Sequence, residues 1–350
     1  MKTYKVGVLA ATGAVGQKFV RLLEGHPWFR LAEVYASERS AGKTYAQAVP
    51  WLQETPIPKE AAGLEVKGEG ADLDADILFS AIPGGQAGPV ERAYAKAGHA
   101  VFTNARDLRM EADVPLVIAE VNADHLGLID VQRKASGSDG FVVANGNCTT
   151  ITMAMTLKPI QDAFGLRRVS MVSMQAVSGA GYPGVASLDI LGNVVPFIKD
   201  EEERVAMEGP RFLGTLRGEA VLPADFALAA TCTRVPVIEG HTEVISVATS
   251  KPATPEAVAA AFSSFRGLPQ AKKLPSAPPH PIVVRPEPDR PQPRKDEGAG
   301  GGMVTSVGRI ARDSVVDGIR YVALSSNTVR GAAGGSILNA EMCLADAYIR

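Results

Sequence analysis

The 350-residue chain has only three cysteines, Cys148, Cys232 and Cys343. They are too few and too far apart for a disulfide framework or a paired-cysteine metal site, so no metal is expected. Neither sign of charge is in excess: 36 Lys and Arg against 38 Asp and Glu leave a formal net charge of -2. Nucleic acids and anionic membranes select basic surfaces, and neither is expected as a partner. No apolar run approaches the ~18 residues that span a bilayer, and nothing near Met1 has the pattern of a signal peptide. There is no internal repeat, and 35 Gly with 24 Pro fall short of a disordered composition. What remains is the expectation of a cytoplasmic protein with reduced thiols. A hydrophobic content of 46% and the chain length predict about two domains with a sizeable core.

Short apolar runs alternate with helical stretches in the first half, which predicts a parallel α/β sheet. Residues 4–10, 31–35, 77–80, 100–103 and 141–144 read as strands, and 15–23 as a helix behind a glycine turn. Farther on, 168–177 is a longer element, followed by a polar glycine-rich loop and an acidic helical stretch near 201–207. Residues 227–237 and 244–249 read as strands of a second sheet. The segment 278–294, rich in Pro, Arg and Asp, reads as an exposed arm, after which strands resume at 303–307. A final helix, about 334–348, carries Ile337, Leu338, Met342 and Leu344 at helical spacing.

The stretch Gly7-Val-Leu-Ala-Ala-Thr-Gly13-Ala-Val-Gly16 ends a predicted strand and opens a predicted helix. A dinucleotide fingerprint requires that context: a tight turn, close backbone approach, and a helix N-terminus facing the pyrophosphate. Ala10 stands where a strict fingerprint has glycine. The second strand ends in Ser37-Glu-Arg39-Ser40. An acid there bonds a ribose 2′-hydroxyl, the NAD pattern. Arg39 between two serines suits a 2′-phosphate and favours NADP, with Glu38 leaving the other choice open.

Asn147-Cys148-Thr149-Thr150 lies between an apolar strand and a helical stretch. A cysteine at a helix start has backbone N–H groups and the positive dipole end beside it, as a nucleophile needs. Cys232 and Cys343 sit among apolar neighbours, as buried structural thiols do. A thiol nucleophile needs a base. Of the five histidines, His26, His99 and His125 fall near helix ends or turns and His280 in the proline-rich arm. His241 follows a strand that Arg234 begins, with Gly240 as a turn before it.

In their shared order, these motifs resemble the aspartate-β-semialdehyde dehydrogenase family, in its archaeal and fungal branch. They are joined by Ala36-Ser-Glu-Arg-Ser-Ala-Gly-Lys43, Asn104-Ala-Arg-Asp-Leu-Arg109-Met, Ser178-Gly-Ala-Gly-Tyr-Pro-Gly184, Arg234-Val-Pro-Val-Ile-Glu-Gly-His241 and Asn327-Thr-Val-Arg-Gly-Ala-Ala333. The resemblance implies an N-terminal Rossmann-type parallel sheet and a second α+β catalytic and dimerisation domain, similar to the glyceraldehyde-3-phosphate dehydrogenase architecture. It implies 1–148 with 329–350 as the NADP-binding domain and 149–328 as the second. The implied activity is NADPH-dependent reduction of L-aspartyl-4-phosphate to the semialdehyde through a cysteine thioester, on the route to lysine, threonine and methionine. Cys148 matches the acyl acceptor, His241 the acid/base and Gln175 a glutamine that orients the acyl group. Arg234 matches the carboxylate clamp, and Arg109 a phosphate ligand. Glu201 and Arg204 match an acid–lysine pair on one helical face, with arginine in place of lysine. Thr12, Gly13, Ala14, Val15, Ser37, Arg39, Ser40, Ser178, Gly179 and Asn327 match cofactor contacts. Ala10 and Gly146 depart from the branch, which commonly has glycine and proline there. Implied partners are a small-molecule substrate, phosphate, and a second copy of the chain in a homodimer or homotetramer. The rivals are a malonyl-CoA reductase, more distantly an N-acetylglutamyl-phosphate reductase, and a non-catalytic NADP(H)-sensing regulator.

Overall fold

The computed structural model of the chain describes residues 3–68 and 72–349. The alternation of the first half builds a six-stranded sheet: β1 (Tyr4–Leu9), β2 (Phe29–Tyr35), β3 (Val66–Lys67), β4 (Ile77–Ser80), β5 (Ala100–Thr103) and β6 (Phe141–Ala144). The spatial order is β3-β2-β1-β4-β5-β6, and every pair is parallel. All residues of β4, β5 and β6 are buried. Both faces of a parallel sheet are covered, and for that reason these strands read as unbroken apolar runs. Helices α1 (Ala14–Leu23), α2 (Ala87–Lys96) and α3 (Leu128–Ser136) follow β1, β4 and β5. Strand order reverses between β1 and β4, which opens a crevice at the C-terminal ends of the strands.

The second sheet contains β7 (Leu166–Gln175), β10 (Ala227–Arg234), β11 (His241–Thr249), β12 (Ile282–Arg285), β13 (Thr305–Asp313) and β14 (Gly318–Ser325). Between β7 and β10 lies a separate hairpin, β8 (Thr215–Arg217) and β9 (Ala220–Leu222). The order β10-β7-β11-β14-β13-β12 is mixed, parallel at each edge and antiparallel in the centre. Helices α4 (Cys148–Phe164), α5 (Glu201–Phe212) and α6 (Pro255–Ser264) belong to this half. Val169 and Met171 of β7 join Ile151 and Met155 of α4 in one core. The opposite face leaves Val172 and Val244, paired across the ladder, 40% and 38% exposed. The last helix, α7 (Gly334–Ala345), returns to the first sheet, where Ile337, Leu338 and Met342 pack in one cluster with Val6, Val8 and Phe19.

Several elements differ from the sequence expectation. The strand expected at 227–237 stops at Arg234, since Pro236 has no N–H to continue a ladder. The strand expected at 244–249 begins earlier, at His241, and β14 was not anticipated. The proline-rich 278–294 segment is not wholly an arm: Ile282–Arg285 is the edge strand of the second sheet. Edge positions tolerate flanking prolines because one side of the strand has no ladder to satisfy. Among the described residues no helix is long and apolar enough to cross a membrane.

Candidate active site

Cys148 is the first residue of α4, directly beyond the buried end of β6. Asn147 caps the helix: its side-chain oxygen accepts the Thr150 N–H at 3.0 Å, worth about 1 kcal/mol to a helix start. Gly146, which departs from the branch pattern, has a local reason. A Cβ there would lie 2.3 Å from the Phe212 ring, so α5 fills the space a proline would need.

The second sheet presents a polar row to this turn. Arg234 and Gln175 are opposite one another on β10 and β7, and His241 opens β11 beside them. The sequence reading placed His241 after a strand that Arg234 begins; Arg234 instead ends β10, and the connection between them is irregular. His241 is fully buried, with Nε2 3.2 Å from Cys148 Sγ. Its Nδ1 accepts the Ala176 N–H at 3.1 Å. A backbone N–H can only donate, so the neutral ring carries its proton on Nε2, aimed at the sulfur. Burial, with Arg234 adding to it, pushes the imidazole down to about 3. Cys148 is pushed up to about 12, by burial first and by the Glu201 charge next, while Arg109 and Arg234 pull the other way. One row deeper on the same face, Glu243 is fully buried, and among the described residues neither of its oxygens has a hydrogen-bond partner. Burial, with the Glu201 charge adding to it, holds its carboxyl well above the usual carboxylate range.

Helix α5 contributes a stripe spaced at helical period: Glu201, Val205, Glu208 and Phe212 are buried while Glu202 and Glu203 are exposed. That settles which of three consecutive acids faces inward. Glu201 Oε1 accepts from Asn147 Nδ2 at 2.9 Å, Thr149 Oγ1 at 3.1 Å and Gln175 Nε2 at 3.0 Å. Its Oε2 accepts from Arg204 Nη1 at 3.2 Å. Glu208, which the sequence reading did not single out, links two groups that it did. One oxygen accepts from Arg109 Nη1 at 2.9 Å and the other from the Asn147 N–H at 2.6 Å. Its only sequence signal was an acid seven residues after Glu201. Arg109 also donates to the Asn104 carbonyl at 2.8 Å. Cys148, Gln175, Glu201, Arg204, Arg109 and Arg234 all border one cavity of about 600 Å³. Two arginine forks thus flank a thiol, an arrangement suited to a small substrate with an anion at each end.

The cavity extends to Val15, Ser178, Gly179 and Asn327. Asn327 Nδ2 donates to Ser178 Oγ at 2.9 Å and its Oδ1 accepts the Gly240 N–H at 2.9 Å. A Cβ on Gly179 would stand 2.8 Å from Arg234 Nη1, so this backbone closes directly over the polar row. On the other side, the β1–α1 turn fits a dinucleotide. Ala10 holds φ 57°, the left-handed conformation a glycine would supply, so the turn survives the substitution. A Cβ on Gly16 would come within 2.3 Å of the Ala10 carbonyl oxygen. Helix α1 has Gly13 as its N-cap, with no side-chain cap and no acid in its first turn; the Gly13 N–H closes the turn on the Ala10 carbonyl at 3.1 Å, leaving the N–H groups of Ala14 and Val15, with Thr12 beside them, for a phosphate. Ser37 and Arg39 are exposed beyond β2 and Ser40 half-buried, in a turn closed by the Ser40 N–H on the Ser37 carbonyl at 2.8 Å. No group of three or more metal-ligating side chains occurs among the described residues.

A family description, semialdehyde dehydrogenase NAD-binding domain, matches residues 5–129, and semialdehyde dehydrogenase dimerisation domain matches 157–330. An aspartate-semialdehyde dehydrogenase of Archaeoglobus fulgidus is 51% identical over 99% of both chains. A malonyl CoA reductase (NADP) of Metallosphaera sedula is 41% identical, again over 99% of both. The crystal structure of aspartate semialdehyde dehydrogenase with NADP from Candida albicans superposes with a TM-score of 0.91, at 38% identity and 99% coverage of each chain. With the two domain descriptions matched in order along the chain and half the residues shared with a relative of that name over nearly its full length, the chain belongs to the aspartate-semialdehyde dehydrogenase family.

Proposed function

We propose that the protein is an NADPH-dependent enzyme that reduces L-aspartyl-4-phosphate to L-aspartate 4-semialdehyde through a thioester on Cys148, in the biosynthesis of lysine, threonine and methionine. The observation that carries this reading is the Cys148–His241 contact at 3.2 Å between Arg109 and Arg234. Arg234 takes the substrate carboxylate, and Arg109, with Arg204 at the cavity edge, takes the phosphate. Cys148 Sγ forms a bond to the acyl carbon, and the C–O bond to phosphate breaks. The phosphate leaves with that electron pair and the thiol proton. Backbone N–H groups at the start of α4 hold the oxyanion. NADPH, when bound, supplies the hydride that reduces the thioester. The His241 Nε2–H supports the sulfur when it next departs as thiolate, before a solvent proton restores the thiol.

Thr12, Gly13, Ala14 and Val15 would hold the pyrophosphate of the dinucleotide, and Ser37, Arg39 and Ser40 its 2′-phosphate. Ser178, Gly179 and Asn327 would hold the nicotinamide end. The cofactor domain comprises 1–148 and 329–350, and the catalytic and dimerisation domain 149–328. The exposed Val172–Val244 face supports assembly as a homodimer or a homotetramer.

The test runs the reaction in reverse, with aspartate semialdehyde, NADP⁺ and inorganic phosphate. NADPH appears only when phosphate is present. If CoA replaces phosphate on malonate semialdehyde and aspartate semialdehyde is inert, the protein works as its 41%-identical relative is named.

A further inference from the structure

Helix α2 begins without a cap of its own. Gln86, the residue before it, makes no side-chain capping bond, and the first turn contains no acid. Its leading N–H groups are instead taken by Asp107, farther along the chain. Asp107 Oδ1 accepts the Gly85 N–H at 2.7 Å, and Oδ2 accepts those of Ala87 at 3.0 Å and Gly88 at 3.2 Å. A carboxylate is favoured at this place, because a helix N-terminus presents unpaired donors and a positive dipole end. The backbone approaches it closely. A Cβ on Gly84 would stand 3.1 Å from Arg106 Cγ and 3.4 Å from Asp107 Oδ1, and Gly85 holds φ 92°, which glycine adopts freely.

The place of these bonds in the fold gives them a function. The loop they hold leaves β4, and β4 lies beside β1 where the strand order reverses. A crevice of that kind has the β1–α1 turn as one wall and the β4–α2 loop as the other. Ala81, Ile82, Pro83 and Gly84 border the same cavity as Val15 at the start of α1. Arg109 lies two residues beyond Asp107 but is held separately, by Glu208 at 2.9 Å and the Asn104 carbonyl at 2.8 Å. The loop after β5 therefore braces the cofactor wall through one side chain and the substrate side through another.

We propose that Asp107 is a positioning residue for the dinucleotide: its carboxylate fills the anion site at the start of α2 and so sets the β4–α2 loop as the second wall of the cofactor crevice. The assignment rests on the reading that the dinucleotide lies in this crevice. Losing an acidic cap shifts an equilibrium by about tenfold, and a loop released from it must be ordered again when the cofactor binds.

The experiment measures NADP⁺ affinity by fluorescence titration, with and without sodium formate, at ionic strength matched with sodium chloride. Asp107→Ala binds NADP⁺ about tenfold more weakly than wild type. Formate, a carboxylate small enough for the space of the lost group, restores most of that affinity, which it does not do for a variant that has merely lost packing. Wild type and Asp107→Asn have no such space and do not respond. Asp107→Asn keeps one acceptor oxygen and loses about threefold. In turnover, KM for NADP⁺ rises in Asp107→Ala while KM for aspartate semialdehyde stays at its wild-type value. Wild-type NADP⁺ affinity in Asp107→Ala overturns the assignment. So does a weakened variant that formate leaves unchanged, or an equal formate response in wild type. If circular dichroism shows Asp107→Ala unfolded, Asp107→Asn decides alone, and unchanged affinity there overturns the assignment. Wild-type protein with no affinity for NADP⁺ overturns the crevice reading and the assignment together. NADP⁺ binding without phosphate-dependent turnover sinks the dehydrogenase reading and leaves the Asp107 assignment standing.

Discussion

Removing the Glu208 carboxylate isolates the energetic weight of a residue with no direct contact to substrate. The Arg109–Glu208 pair is buried, with side chains 10% and 3% exposed and a 2.9 Å contact, and the same carboxylate takes the Asn147 N–H at 2.6 Å. Glu208→Ala strands a buried guanidinium and leaves a backbone donor unpaired. Breaking a buried pair from one side costs about 3–5 kcal/mol, and an orphaned N–H about 1–3 kcal/mol. One carboxylate serves both groups, so the terms overlap, and a total of about 4–6 kcal/mol is expected. Against a typical stability of about 5–15 kcal/mol, that brings the fold close to its limit. Glu208→Gln keeps an oxygen for the Asn147 N–H and turns its amide nitrogen toward Arg109, so the loss is intermediate. Lys134→Ala is the control. Its partner is Glu219 at 3.4 Å, both side chains are more than two-thirds exposed, and the expected cost is below about 1 kcal/mol. Urea titration followed by both tryptophan fluorescence and far-ultraviolet circular dichroism reads the three variants. If Glu208→Ala is no costlier than Lys134→Ala, burial does not give this pair its weight and the argument fails.

Four further variants have expected outcomes. Cys148→Ala abolishes turnover with NADP⁺ affinity unchanged, and in the wild type the Cys148 alkylation rate climbs about tenfold per pH unit between about 7 and 9, because burial holds the thiol at about 12. Glu201→Gln speeds alkylation at fixed pH, since the Glu201 charge is part of what raises the thiol; a slower rate contradicts that. His241 at about 3 lies below its unfolded value of about 6.5. The unfolded chain therefore binds the extra proton first, and the contribution is complete above about pH 6.5 and lost as pH falls toward 3. His241→Gln consequently loses less stability than wild type over that window, which acid titration of the unfolding midpoint measures. Gly16→Ala brings a Cβ to 2.3 Å from the Ala10 carbonyl oxygen and displaces the phosphate turn, so NADP⁺ affinity falls by at least about tenfold in a fluorescence titration.

The first half of the fold was legible because its signals are short-range. A buried parallel strand is a continuous apolar run, and a phosphate turn is a handful of residues between a strand and a helix. The nucleophile was legible for the same reason: Asn147 caps, within three residues, the helix that Cys148 begins. The proline-rich segment misled because its four-residue edge strand is held by β13, a partner more than 20 residues away. His241 was recognised by its neighbours in sequence, but its tautomer comes from the Ala176 N–H, 65 residues away.

The sequence by itself determined where the backbone turns, which face of each long element is apolar, and which residue types have the chemistry of a thiol nucleophile between two anion anchors. Only the tertiary structure decided which of three successive glutamates enters the site, that Glu208 ties Arg109 to the nucleophile turn, and which way round the Gln175 amide stands. The division is physical. Backbone conformation and amphipathic period are set over a few residues. The polarity of a buried hydrogen bond depends on which donors and acceptors other elements bring within about 3 Å, and no local spacing encodes that.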